Sequence, residues 1–207
     1  MRRIMMLSVL LAGCTYNAEV REAPAYNVVS SFGTEVPGKW LLYVDASPLA
    51  KPVKPAGYAC SAHKFPIEMS GPFETSVRQT IDNVVEQVEI VRGPMSRQQV
   101  TAAGARGLIV VRGEELRPRL EVQPGFWSAN MSASATLVAS VTVDSVKAGR
   151  VLGATVEGQG SADQEAGMAC EGGAKSLASA AGVALKDSMR KIGEAISNSE
   201  RMRSTGN

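Results

Sequence analysis

The amino-acid sequence predicts an α+β domain: a mixed or antiparallel sheet with a long β-hairpin in its C-terminal half and two main helices packed on one face. The helices are predicted because apolar residues recur at intervals of three and four over 71–90 and over 167–199. The hairpin is predicted because small or apolar residues alternate with Ser and Thr over 126–143. With 207 residues, 44% hydrophobic and 20% charged, the chain has the composition of a globular domain and not of a disordered one.

The first half of the domain, residues 39–123, indicates strands around one amphipathic helix. Pro72 suits the first turn of this helix, whose apolar stripe is Phe73, Val77, Ile81, Val84 and Val88. The valines favour packing on a sheet, because β-branched side chains weaken an isolated helix. A loop is predicted at 48–57. Strands are predicted at 39–45, 88–91, 105–113 and 115–123, the last with Pro118 at an edge, and a short helix capped by Ser96 is predicted at 96–103.

The second half indicates the hairpin and the second helix. A turn at 147–150 and a second alternating run at 151–160 follow the long strand, so the two strands pair antiparallel. Such a long hairpin could extend beyond the sheet or pair with another chain. The helix at 167–199 is rich in alanine, and its apolar stripe is Leu177, Ala181, Leu185, Ser188, Ile192 and Ile196.

Residues 1–14 have the order of a secretory signal. A positive start with Arg2 and Arg3 is followed by an apolar run at 4–12, and Leu11-Ala12-Gly13-Cys14 closes it. This run is far shorter than the roughly 20 residues that a membrane-spanning helix needs. The segment resembles the lipobox of bacterial lipoproteins, in which the cysteine thiol receives a diacylglycerol, the peptide is cut before the cysteine, and the new amine is acylated. The alternative is an ordinary apolar N-terminus with a chance cysteine.

The resemblance implies a division of the chain. Residues 1–13 would be the signal peptide, 14–38 the lipidated N-terminus and tether, 39–199 a single periplasmic domain, and 200–207 a flexible tail. Acyl chains on Cys14 would hold the protein to a membrane, because each buried CH₂ contributes about 0.8 kcal/mol. In that family an Asp directly after the cysteine tends to retain the protein in the inner membrane. Thr15 stands at that position, so the resemblance implies the outer membrane, with the domain facing the periplasm.

The charge balance bears on the partners. Removal of Arg2 and Arg3 lowers the 22 basic residues to 20, which equals the number of acidic residues. Attachment would therefore come from lipid and not from charge, and a nucleic-acid partner is excluded. Lys51, Lys54 and Lys64 make the region 47–66 locally basic, which fits either a solvated loop or contact with lipid headgroups or glycan.

Two cysteines remain if Cys14 carries lipid. Because the periplasm is oxidising, Cys60 and Cys170 are predicted to form a disulfide, which would stabilise the fold by about 3–5 kcal/mol in the chain-entropy model. Two alternatives stay open at this stage. One is a metal site built on Cys60-x-x-His63, which lacks an evident fourth ligand because His63 is the only histidine, and the other is a pair of free thiols.

Catalytic signals are lacking, so no catalytic residue, metal site or cofactor is predicted beyond the covalent lipid on Cys14, and the protein is not expected to be an enzyme. Gly-x-Ser-x-Gly and the phosphate-binding Gly-x-x-x-x-Gly-Lys-Ser/Thr are absent from the sequence. Gly158-Gln159-Gly160 lacks the third glycine of a dinucleotide motif. His63 is interpreted as structural or exposed, and Trp40 and Trp127 as core residues, with an exposed anchor as the alternative for Trp127.

The order of elements after Cys14 is similar to that of small Gram-negative envelope lipoproteins of uncharacterised or YajG-like type. This resemblance rests on organisation over residues 39–197 and implies a non-enzymatic envelope role. The first hypothesis is an interaction or assembly module that binds an envelope protein, or a second copy, through the hairpin. The alternative is a carrier or accessory protein for lipid or another apolar ligand, with space for that ligand under the helices. A hydrolase built on His63 ranks third.

Overall fold

The computed structural model describes residues 14–57, 60–125 and 129–204. Among them it has the predicted α+β class with a mixed sheet. In chain order the elements are β1 (Ala18–Glu19), β2 (Val36–Asp45), β3 (Ala50–Val53), β4 (Phe65–Glu68), α1 (Ser70–Asp82), β5 (Val85–Ile90), α2 (Arg97–Ala102), β6 (Gly107–Pro124), β7 (Ala129–Ser145), β8 (Gly149–Glu165), α3 (Gly172–Ser197) and α4 (Glu200–Ser204). None of the helices in the described residues is both long and apolar enough to cross a membrane.

Two sheets form the framework. The larger has the strand order β5-β2-β6-β7-β8, in which β2 runs parallel to β5 and β6 while β6, β7 and β8 are antiparallel. The smaller has the order β1-β4-β3 and is built partly from residues 50–53, where the sequence analysis predicts a loop. That prediction is wrong because Lys51 and Pro52 interrupt any apolar period, while pairing with β4 still holds these residues extended.

The predicted hairpin is confirmed and is longer than expected. β7 and β8 pair from Asn130 opposite Glu165 to Ser145 opposite Gly149, with one register shift between Val143 and Asp144. Alternate side chains of β7 are buried from Met131 to Val143, as period two requires. The turn occupies 146–148, and Gly149 takes the positive φ that lets the second strand begin.

The two strands predicted at 105–113 and 115–123 are one strand, β6. Its register on β7 shifts between Gly113 and Glu115, which is the mark of a β-bulge. The extra residue keeps Val111 and Leu116 on the same buried face although their spacing is odd. β2 pairs with β6 only as far as Arg112, so Pro118 lies beyond β2, at the edge position that the sequence predicts.

Both main helices exist and share the main core, and both are shorter than predicted. α1 ends at Asp82, because Val84 and Val85 turn back to place β5 beside β2. α3 begins at Gly172, because Cys170 has a positive φ of 64°, which a right-handed helix does not accommodate. The short helix α2 is capped by Ser96, as predicted, and packs Val100 on the opposite face of the sheet.

The segments predicted as tether and tail lie on the domain in the structure. Val20 and Ala25 are buried, and the main-chain N–H groups of Ala23 and Ala25 donate to the hydroxyls of Ser76 and Thr80 on α1. The hydroxyl groups of Ser76 and Thr80 are buried, and buried polar groups require hydrogen-bond partners. The main chain of this segment supplies those partners. β2 also starts within the predicted tether, at Val36, and residues 200–204 form α4 with a fully buried Met202.

Candidate functional site

Cys14 lies directly against the folded domain. It is exposed and its thiol is free. Its carbonyl accepts a hydrogen bond from the Lys64 N–H at 3.3 Å, and the Tyr16 N–H donates to the Lys64 carbonyl at 2.9 Å. Because these bonds pair residues 14–16 with the chain just before β4, a lipid on Cys14 would sit within a few bonds of the domain surface.

The predicted disulfide joins Cys60 to Cys170 in the structure, with the two Cα atoms 6.0 Å apart and a sequence separation of 110. It ties the turn that precedes Lys64 to the turn that precedes α3. The His63 N–H donates to the Cys60 carbonyl, so the disulfide connects Cys170 to the turn directly before Lys64, the residue hydrogen-bonded to Cys14. Both sulfur atoms are used in this bond, and the described residues contain no cluster of three or more groups able to hold a metal ion.

Aromatic rings complete this end of the molecule. Tyr16 stacks on the buried Phe65, with 6.0 Å between the ring centroids, and its ring lies 5.6 Å from that of His63. The Nδ1 atom of His63 is buried and has no hydrogen-bond partner among the described residues. His63 is therefore a packing partner of Tyr16 in the structure.

Two exposed side chains lie beside Cys14 and the disulfide. Met168 is fully exposed, two residues before Cys170, and Lys64 is exposed next to Cys14. We call Cys14, Lys64, Met168 and the disulfide the anchor end. A cysteine, a cation and an exposed apolar side chain thus lie at one end of a sheet whose hairpin strands, β7 and β8, have 17 residues each.

The opposite end is closed by two arginines. The Arg106 guanidinium lies 5.6 Å from the centre of the buried Trp40 ring and donates to the carbonyls of Pro37 and Met202. Burial lowers the pKa of Arg106. Arg203 lies 4.2 Å from the Phe32 ring and donates to the Ser197 carbonyl. The core role predicted for Trp40 is confirmed, whereas Trp127 lies outside the described residues.

The hairpin edge, where the sequence analysis places an interaction, is partly covered by α3. β8 is the last strand of the sheet. Lys191 Nζ donates to the Glu157 carbonyl at 2.6 Å, the Gln159 N–H donates to an Asp187 carboxylate oxygen at 3.4 Å, and Lys191 and Asp187 form an ion pair at 2.8 Å. Outward-facing backbone groups in the middle of the edge are therefore occupied, which is how proteins block pairing with another strand.

The protonation of Asp187 sets the pH range of this cover. Burial raises the pKa of Asp187, but hydrogen bonds from Lys191 and Arg190 outweigh burial, so the pKa lies below its usual value. A carboxyl whose pKa is lowered by folding stabilises the fold above its unfolded pKa. The cover is therefore intact at neutral pH and is lost as the pH falls through the lowered pKa.

Replacing both Asp187 and Lys191 with alanine is expected to convert the protein into one that self-associates with rising concentration, because the edge groups at 157 and 159 lose their partners. Analytical ultracentrifugation of the full chain measures this change. The matched control replaces Glu200 and Arg201 with alanine, two exposed residues of opposite charge on α4 that form neither an ion pair with Asp187 nor a hydrogen bond with residues 157 or 159 in the described part of the chain. Equal self-association of both double variants would contradict the role of the edge.

α3 packs closely on the sheet where the carrier hypothesis places space for an apolar ligand. The small residues of the sheet and of α3 lie in direct contact, and a Cβ atom added at Gly158 would stand 2.1 Å from the Ala184 carbonyl oxygen. Ala135, Ala139, Ala180 and Ala184 are all buried in the same cluster. The small side chains thus serve close approach of helix and sheet, and the observation that motivated the carrier hypothesis no longer favours it.

Comparison with known proteins gives only distant likenesses. No protein-family model matches the chain, and no curated protein matches it. Among solved structures, a minor lipoprotein from Acinetobacter baumannii is 13% identical with a TM-score of 0.38, over 77% of this chain and 90% of that one. A hypothetical protein from Chlamydia trachomatis is 10% identical with a TM-score of 0.34, over 60% and 73%. A PelC variant, described as a dodecamer, from Paraburkholderia phytofirmans is 10% identical with a TM-score of 0.35, over 86% and 95%. TM-scores this low support no conclusion about this chain.

Proposed function

We propose that this chain is a bacterial envelope lipoprotein, held to the outer membrane by lipid on Cys14, whose domain faces the periplasm and acts as a non-enzymatic interaction or assembly module. The observation that carries the proposal is the position of Cys14. It ends a lipobox-like sequence, it is exposed, and its main chain is hydrogen-bonded to the domain through Lys64.

The short connection between lipid and domain has a physical consequence. With no free tether between Cys14 and the domain, the anchor end faces the bilayer. Met168 is suited to enter the apolar boundary of the membrane, and the Lys64 ammonium to pair with headgroup phosphates, because exposed apolar and cationic groups together favour such interfaces. The disulfide holds both elements of this end in one arrangement.

The same arrangement supports the role as a module. At about 3.3 Å per residue, strands of 17 residues extend about 55 Å away from the anchor end. The domain would therefore present the exposed face of β6, β7 and β8 to the periplasm at a defined distance from the membrane. A rigid, lipid-bound display of a sheet face suits binding to another envelope component.

Lipidation is tested by replacing Cys14 with serine. The variant is expected to lose incorporation of a radiolabelled fatty acid and to leave the membrane fraction, because an alcohol does not replace the thiol as acceptor of the lipid. The matched control replaces Cys60 and Cys170 with serine and keeps the label, since it leaves the lipobox intact. Labelling of the Cys14 variant, or an unlabelled native protein, would contradict the anchor.

The module is tested separately by cross-linking in intact cells. The native protein is expected to appear in a complex larger than itself, and the complex is expected to weaken when Cys14 is replaced, because the domain is no longer concentrated at the membrane. Recovery of the membrane-bound native protein only as an uncomplexed monomer would contradict the module while leaving the anchor intact.

A further inference from the structure

The outward face of β6, β7 and β8 carries an ordered array of polar side chains. Residues directly opposite each other on antiparallel strands point to the same side of the sheet, so the register defines rows across three strands. One row is Arg119, Ser134 and Ser161, and the next is Arg117, Thr136 and Gln159. The row beyond each of these carries carboxylates: Glu121 and Asp163 on one side, and Glu115 and Glu157 on the other.

The two arginines in the middle rows differ in their partners. Arg117 forms ion pairs with Glu115 at 2.8 Å and with Glu157 at 4.0 Å, and Glu115 raises the pKa of Arg117 through a hydrogen bond. Arg119 is exposed and makes no ion pair or hydrogen bond within the described part of the chain. The array therefore offers one uncompensated guanidinium between two acidic rows.

The hydroxyl groups around Arg119 are also free to bind a ligand. Within residues 129–165, the side chains of Ser134, Thr136 and Ser161 have no protein hydrogen-bond partner, and Gln159 uses its amide nitrogen on Glu157 while its amide oxygen stays free. These side chains line an open trough of about 570 Å³ that reaches Val183 on α3 past Gly160. That volume lies within the range of small-ligand sites.

We propose that this trough binds an acidic oligosaccharide, with a sugar carboxylate on Arg119 and sugar hydroxyls on Ser134, Ser161 and Thr136. Charge complementarity selects this ligand. A guanidinium presents paired donors that match a carboxylate, and hydroxyl and amide groups both donate to and accept from sugar hydroxyls. The flanking carboxylates repel a ligand with closely spaced anionic groups, so the array fits one carboxylate among several neutral hydroxyls. The site goes beyond anchoring and does not depend on lipid at Cys14.

The experiment measures binding of 3′-sialyllactose, a trisaccharide with a single carboxylate, to the full-length protein in detergent by isothermal titration calorimetry, with neutral maltotriose as the comparison ligand. The native protein is expected to bind the acidic trisaccharide, and to bind maltotriose at least about tenfold more weakly, because charge-assisted hydrogen bonds are roughly twice as strong as neutral ones. Arg119→Gln is expected to remove this preference. Arg112→Gln is the matched control, because Arg112 is an exposed arginine on the same strand with the same charge change.

A second variant keeps the charge and removes the hydroxyls. Ser134→Ala combined with Ser161→Ala is expected to weaken both sugars by a similar factor, since each loses the same hydrogen bonds. All substituted side chains are exposed, so each variant is expected to keep the melting temperature of the native protein. Measuring that temperature checks that each variant is folded. Equal losses in the Arg119 and Arg112 variants would show a diffuse charge effect and overturn the proposal, as would equal binding of the two sugars or no binding of either by the native protein.

Discussion

Replacing Gly158 with alanine is expected to lower the free energy of unfolding by about 3 kcal/mol, the upper part of the range for overpacking a core. The added methyl group would stand 2.1 Å from the Ala184 carbonyl oxygen, 2.2 Å from Ser188 Oγ and 2.8 Å from the Ser188 nitrogen. Two of these atoms belong to the helix backbone, so no side-chain rotation relieves the clash. α3 would have to move away from β8, and the buried faces of both elements would separate.

Gly153 provides the matched control on the same strand. A Cβ atom at Gly153 meets nothing within 4 Å, and its backbone is extended. Gly153→Ala is therefore expected to change the free energy of unfolding by less than about 0.5 kcal/mol. Urea denaturation followed by circular dichroism measures both variants. Similar losses at the two positions would show that the closeness of α3 to β8 does not set the cost.

The hairpin and both main helices could be predicted because their signals are local. Alternation over β7 needs only one buried face, and the stripe of α3 needs only a helical period, so each pattern is complete within its own element. The capping box of Ser96 and Gln99 is local in the same way. The disulfide depended on counting cysteines and on an expected compartment, which again requires no knowledge of the fold.

The small sheet and the ends of the helices could not be predicted because distant residues determine them. β3 pairs Pro52 with Pro66, two residues without N–H donors, so strand propensity argues against the structure that tertiary contacts impose. The apolar spacing that predicts the first helix continues through Val84 and Val88, but pairing of Val85 with Val36 ends the helix first. The segment at 14–38 shows no hydrophobic period in its sequence. Its position is set by contacts with α1 and β4, which are distant in the chain.

The candidate sites also combine features that a local sequence pattern predicts with features that depend on contacts between distant residues. Cys14 could be singled out from its motif, whereas its position beside Lys64 depends on an isolated β-bridge between Thr15 and Lys64, which are far apart in the chain. The array around Arg119 depends on the register of three strands. The hairpin register alone would have placed Ser134 opposite Ser161, but the bulge after Gly113 had to be known before Arg119 could join them.

Removing the Cys60–Cys170 disulfide is expected to lower the free energy of unfolding by about 5 kcal/mol, because a loop of 110 residues gains the corresponding chain entropy in the unfolded state. Chemical denaturation of the native protein with and without a reducing agent measures the difference, and the Cys60→Ser, Cys170→Ser double variant repeats it without reductant. Cys14→Ser is the control, because its exposed thiol takes no part in the bond and its stability should match that of the native protein.

The same reduction is expected to loosen the anchor end selectively. The disulfide connects the turn that leads into Lys64 with the turn that leads into α3, while β7 and β8 are held by their own ladder. Hydrogen exchange should therefore accelerate first at the amides of Tyr16 and Lys64, which bond across this junction, and later in the hairpin. Uniform acceleration would show that the disulfide stabilises the domain as a whole and has no separate local effect at this junction. Acceleration confined to the junction would show that the disulfide also holds Cys14 against the domain, since those two hydrogen bonds connect residues 14–16 to Lys64.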